Sequence, residues 1–242
     1  MIANIADGFI MAGKKTEDYY SDVVKVKGKI VKVIHAPVNF REFNTESVEP
    51  NPDIESFQGV KITTVANINP VKGLETFIKM ANLLSEKHKN LVFFIVGPVF
   101  KEQSKYFDYL STMIIKFNLK NIRFLGGDQD IKSILKSSDI YVCSSNSEAS
   151  PVAVWEAMSM KVPVVSTDVG DVSLFLKDVV GVGNYREMAK SIEGFILNKE
   201  KAESVGDELR DIALINFDSS IIATLHEEIY KEVLGISKSH VY

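Results

Sequence analysis

Two carboxylates eight positions apart, Glu148 and Glu156, bracket a proline and the chain's single tryptophan in the stretch SNSEASPVAVWEAM (145–158). Eight residues is a little over two helical turns, so an unbroken helix would set both acids on roughly one face. Ser150-Pro151 argues instead for a helix entry, because serine suits the cap and proline the first helical position. Glu148 then falls in a loop and Glu156 in the second turn. The amides around Ser150 to Val152 become the open amino end of a helix, which favours an anion. Carboxylates accept hydrogen bonds from vicinal hydroxyls, so sugar or ribose hydroxyls suit both acids. Taken alone, two such glutamates more often simply face solvent.

Other segments offer compatible chemistry. NPVKG (69–73) places Lys72 where a strand gives way to a helix, and a lysine beside free helix amides suits a phosphate. A plain turn with a solvated lysine is the competing reading. VGPVFKE (96–102) puts Gly97 after a strand, where backbone can approach a ligand. Asp128 and Asp130 in DQD could pass for a metal-binding pair. A divalent site needs more convergent carboxylates, so a capping aspartate before Ile131 and no metal are expected. Asp139 is expected to cap or pair at a strand edge. His35, His88, His226 and His240 have no metal-like spacing and read as ordinary surface or turn residues. No nucleophile elbow, Walker loop or cysteine pair is present.

These residues need a scaffold, and from residue 61 onward apolar runs alternate with amphipathic helical patterns. The runs are 61–68, 91–97, 121–126, 139–145, 162–168 and 179–183, and they are near-continuous, as in strands covered on both faces. Helical spacing occupies 73–89, 105–117, 130–138, 151–160, 185–197 and 219–234. Such alternation predicts a Rossmann-like, doubly wound parallel sheet, with ligands bound at the carboxyl ends of its strands. Earlier, 6–13 and 29–37 read as strands, 15–22 as a short helix and the polar stretch 44–58 as a linker or surface loop.

Bulk properties narrow the class. The net charge of −4 excludes an ordinary duplex nucleic-acid binder, and 45% apolar with 25% charged residues is globular composition. The single cysteine, Cys143, suits a reducing compartment. No run of about 18 apolar residues occurs and the start lacks a secretory pattern, so a cytoplasmic protein with at most peripheral contact at the inner membrane face is expected.

In combination, VIHAPVNFREF (33–43), VANINPVKGLETFIKMANLL (65–84), FIVGP, IRFLGG, LKSSDIYVCSS and SEASPVAVWEAMSMKVPVVSTDVGD (147–171) resemble the carboxy-terminal, donor-binding half of a GT-B glycosyltransferase. The resemblance, to the retaining family 4, covers roughly residues 29–235 and includes that family's pair of glutamates separated by seven residues. It implies transfer of a hexose, with retention, from a UDP- or GDP-linked sugar to a glycan or lipid-linked acceptor. It also implies no cofactor and no metal. Lys72 would neutralise the diphosphate, and Glu148 would contact hydroxyls of the transferred sugar. The stretch Ala149, Ser150, Pro151 and Val152 is expected to hold sugar and phosphate through its backbone N–H groups, Pro151 contributing none, and Glu156 would bind the ribose. Gly97 would line the cleft and the loop around Gly126 would approach the base. With no evident protein nucleophile, a positive cleft would stabilise the leaving group.

Departures from the pattern are specific. Asn67 stands where the family usually has an arginine of the donor site; Ala149 and Lys161 replace glycines; Asp171 replaces the second glycine of a pair; and Leu174 lies near the place of a missing glutamate. The resemblance divides the chain into an amino-terminal remnant and linker (1–58), a nucleotide-sugar-binding domain (59–216) and a closing helix (217–242). Residues 1–28 resemble only the last strand and helix of an acceptor domain, where the acceptor site and a frequently catalytic histidine would lie. A shortened chain, a split enzyme pairing with a separate amino-terminal chain, a homo-oligomer or a minimal homologue would each accommodate this. A non-catalytic nucleotide-sugar-binding subunit is the alternative.

Overall fold

The computed structural model describes residues 5–23 and 28–235. It opens with strand β1 (Gly8–Met11), helix α1 (Lys14–Val23) and strand β2 (Ile30–Val33), the two strands pairing in parallel. After the short helix α2 (Pro52–Glu55) the chain alternates β3 (Val60–Val65), α3 (Leu74–Lys87), β4 (Leu91–Val96), α4 (Ser104–Lys116), β5 (Ile122–Gly126), α5 (Ile131–Lys136), β6 (Ile140–Cys143), α6 (Val152–Ser159), β7 (Val164–Thr167) and β8 (Val179–Val180). Helices α7 (Tyr185–Leu197), α8 (Lys199–Phe217) and α9 (Ser219–Val233) complete it. The six strands β3 to β8 form one parallel sheet in the order β5-β4-β3-β6-β7-β8, the Rossmann-like layer expected.

Both faces of this sheet are covered, which is why its strands lack polar alternation. Phe93 and Ile95 of β4 face a cluster with Phe77, Met80 and Leu84 of α3 and Ile192 of α7. Their neighbours Val92, Phe94 and Val96 face the other way, onto Ile54 and Ile134. Beyond β6, Tyr141 and Cys143 pack with Trp155, Leu209 and Phe217 of α6 and α8.

Three elements differ from the sequence reading. The polar stretch 44–58 is not a free linker: Asn51 caps α2, and Ile54 is fully buried under the sheet. Helix α8 had no counterpart in the reading; Asn198 caps it, and Gly206, Leu209, Ala213 and Phe217 form its buried stripe. The run 179–183 contributes only the two-residue strand β8. Helix α9 returns to the amino-terminal unit, packing Ile222 and Ile229 on Ile34.

Candidate functional site

The sheet order reverses between β3 and β6: β3 leads outward to β4, β6 to β7. A crevice therefore opens beyond the carboxyl ends of these central strands. The loops that leave β3 and β6 form its two lips and are stitched together. The Asn146 amide donates to the Val71 carbonyl at 2.7 Å, Asn146 Nδ2 to the Pro70 carbonyl at 2.9 Å, and Ser144 Oγ to the Lys72 carbonyl at 3.0 Å. Gly73 permits this closeness. It adopts φ +56°, and a Cβ on it would lie 2.2 Å from the Ser144 carbonyl oxygen.

The stitching brings two of the sequence candidates together. Lys72 Nζ donates to Glu148 Oε1 at 2.6 Å, and Ser145 Oγ donates to the same oxygen at 2.8 Å. Ser145 is itself anchored, its carbonyl accepting from Thr167 Oγ1 at 2.6 Å. The cleft they flank measures about 410 Å³, and Asn67, Lys72, Gly97, Glu148, Ser150, Pro151, Val152 and Glu156 all line it. Gly126 and Ala149 do not. Gly127 takes the cleft position beside Pro98, and the Ala149 carbonyl turns away towards Gly13 and Gly170.

Glu156 projects from the second turn of α6 into the cleft and has no side-chain hydrogen bond or ion pair among the described residues. Burial lifts its carboxyl to a pKa of about 7. Nearby, burial also pushes the Tyr141 phenol and the Cys143 thiol up. At the mouth of α6 the amides of Val152 and Ala153 donate to no described residue, whereas the Val154 amide closes back on the Pro151 carbonyl at 2.9 Å. Lys72 is the one cation among the described lining residues, against two carboxylates. The cleft of this chain is therefore not positive, contrary to the expectation attached to the resemblance.

Several local assignments shift. Pro151 occupies the cap position and the helix starts at Val152, one residue later than expected. Ser150 caps nothing. Its hydroxyl accepts from Trp155 Nε1 at 3.0 Å and from the Ala36 amide at 2.9 Å. Asp130 sits at the cap of α5, yet its side chain makes no capping bond. Asp139 does secure a strand start, accepting from the Lys61 amide at 2.7 Å. His35 is not an ordinary surface residue: it bonds Asp171 and lies edge-on to Phe175, Phe217 and Trp155. His240 lies outside the described residues. Trp155 is fully buried and stacked on Phe217 at 4.1 Å. The contributions of Ser145, Tyr141 and Gly127 were not anticipated, because each falls inside or beside a strand-like run.

A group 1 glycosyltransferase family model, described as "Glycosyl transferases group 1", matches residues 54–211, from α2 through most of α8. The chain belongs to this family. An uncharacterised glycosyltransferase of Methanocaldococcus jannaschii is 29% identical over 159 residues, covering 64% of this chain and 37% of the relative. A lipopolysaccharide core biosynthesis mannosyltransferase of Rhizobium leguminosarum bv. viciae is 24% identical over 174 residues, covering 69% and 49%. The chain thus matches no more than about half the length of these two relatives. Among solved structures, an Anabaena protein in complex with UDP and glucose superposes with a TM-score of 0.81 at 18% identity, covering 96% of this chain and 64% of that one. At that identity the likeness establishes the fold, a GT-B-type Rossmann-like domain. No helix among the described residues is long and apolar enough to cross a membrane.

Proposed function

We propose that this chain forms the donor-binding side of a retaining, family 4 type hexosyltransferase. The enzyme would move a sugar from a UDP- or GDP-linked donor to a glycan or lipid-linked acceptor. The observation that carries the reading is the cleft at the strand-order reversal, where one lysine, a glutamate bonded to it, and a second glutamate and two helix amides that have no partner among the described residues converge. Lys72 and the Val152 and Ala153 amides suit a diphosphate, Glu148 the hydroxyls of the sugar, and Glu156 those of the ribose. The chemistry proposed invokes neither metal nor cofactor. In this scheme Lys72 stabilises charge developing on the leaving diphosphate. The acceptor would be held by the wall facing this cleft.

The test is calorimetry of UDP and GDP with the full chain. Binding of one of them, weakened at least roughly tenfold in Lys72→Ala, is expected; binding of neither would overturn the reading. The imbalance of one cation against two carboxylates favours a second reading, a nucleotide-sugar-binding subunit without turnover. Donor hydrolysis abolished in Glu148→Ala supports the enzyme. Binding without hydrolysis or transfer, even beside candidate partner chains, supports the subunit.

A further inference from the structure

Helix α1 begins without a cap of its own. The Gly13 carbonyl accepts the first helical bond, from the Glu17 amide at 3.0 Å, but Gly13 has no side chain to meet the amides that follow it. A side chain would not fit, since a Cβ there would lie 2.8 Å from the Ala149 carbonyl oxygen. The missing acceptor arrives from the far end of the sequence. Asp171 Oδ2 accepts from the Lys14 amide, Oδ1 from the Lys15 amide at 3.2 Å, and Oδ2 also bonds His35 Nε2 at 2.9 Å. Asp171 is only 1% exposed. Burial alone would raise its pKa, but the two amides and the histidine outweigh it and hold the carboxyl below the usual aspartate range.

The same contact region backs the Glu148 loop. The Ala149 carbonyl is wedged between Gly13 and Gly170, and the Ala36 amide donates to Ser150 Oγ at 2.9 Å. Lys15 Nζ adds an exposed pair with Asp168 at 2.6 Å. Glu148 thus faces the cleft while the residues after it lean on Gly13, at the cap position of α1, and on the segment after β2.

We propose that Asp171 is a positioning residue for the Glu148 loop: it caps α1 from across the fold and so clamps the amino-terminal unit against the back of Glu148–Ser150. Its consequence for ligand rests on the donor-cleft reading; the clamp itself does not. Amide hydrogen exchange on the full chain tests it. Asp171→Asn is expected to speed exchange of residues 14–18 together with that of the loop-facing amides of Ala36, bonded to Ser150 Oγ, and Asn146, bonded to the Val71 carbonyl, by roughly fivefold or more, and to weaken nucleotide-sugar binding. His35→Gln, which spares the two amide bonds, gives a smaller change at the same positions and serves if Asp171→Asn does not fold. Lys15→Ala, which removes only the exposed pair, leaves Ala36 and Asn146 unchanged. Faster exchange confined to 14–18 would reduce Asp171 to a helix cap and overturn the proposal, as would no change at any of these positions. Acceleration at all of them with nucleotide-sugar affinity intact would uphold the clamp and overturn its consequence for ligand. If the unaltered chain binds neither UDP nor GDP, the donor reading fails, and the exchange of Ala36 and Asn146 still decides the clamp.

Discussion

Glu156 offers a measurement in which stability and function pull in opposite directions. Its carboxyl is half-buried, without a side-chain partner among the described residues, and lifted from 4.5 to about 7 by burial. A carboxyl with a higher pKa in the folded than in the unfolded chain binds its proton more tightly when folded. Stability is then greatest at low pH and falls as pH rises from near 4.5 through about 7, the reverse of a salt-bridged carboxylate. At about 1.36 kcal/mol per pH unit the loss reaches roughly 3 kcal/mol by about pH 8.5. Because the cleft admits solvent, that figure is an upper bound. Glu156→Gln keeps the shape and removes the charge. The variant should match the parent near pH 4.5 and exceed it near pH 8.5 by up to about 3 kcal/mol, a rise in Tm of roughly 6–12 °C for a chain of this size. Urea denaturation at the two pH values reads the difference directly. A gap that does not change with pH, or a variant less stable than the parent at pH 8.5, would refute the premise that this carboxylate is held desolvated. The same variant should bind UDP more weakly, since a stabilising change in a site commonly costs function.

Other substitutions address separate parts of the structure. Asn67→Arg adds a second cation to the lip carrying Lys72 and should tighten UDP binding about tenfold at low salt, the gain shrinking as salt is raised; unchanged calorimetric affinity would place the diphosphate elsewhere. Lys161 sits at φ +61°, a left-handed conformation that suits glycine, and its pair with Asp207 at 2.7 Å is exposed. Lys161→Gly should therefore stabilise the fold by about 1 kcal/mol in urea melts, and a loss would mean that the side chain matters more than the strain. Ile54→Ala, under the sheet in the stretch 44–58, should cost about 2–4 kcal/mol; a loss near zero would make that stretch the surface loop its composition suggested.

What the sequence revealed about the fold followed from burial. Strands β3, β4 and β6 are covered on both faces, so VKITTV, LVFFIV and IYVC announce themselves as apolar runs. Helix α8 stayed hidden because it is charged along most of its surface and carries Gly206, which reads as a breaker. In the fold, Gly206 is where the Lys161 carbonyl approaches, at a distance that would be 2.1 Å from a Cβ. Ile54 was missed for the opposite reason: one buried side chain among prolines and acids makes no periodic pattern. At the cleft, Lys72, Glu148 and Glu156 were legible because charged residues at loop ends and helix starts carry chemical meaning singly. Ser145 was not, since a serine after a strand gains its role only from the oxygen it happens to meet. The contact of Asp171 with α1 spans 157 positions, and no local pattern announces it. That aspartate was visible only as a departure from the family pattern.

The charge balance of the cleft bears on how a donor would enter it. With Lys72 held at 2.6 Å by Glu148, the cleft is internally neutralised on that side and negative at Glu156 above pH 7. A diphosphate approaching such a site gains little from long-range attraction and must instead exchange partners with Glu148 for Lys72. On the donor reading that exchange is productive at both ends. Releasing Lys72 to the phosphates leaves the Glu148 carboxylate with only the Ser145 hydroxyl, and a carboxylate so freed is ready to accept from sugar hydroxyls. A nucleotide without its sugar would take the lysine but leave Glu148 short of donors. A nucleotide sugar should consequently bind more tightly than the bare diphosphate, and Glu148→Gln should narrow that gap. A chain that held UDP as tightly as every UDP-sugar offered would argue that Glu148 serves only to restrain Lys72.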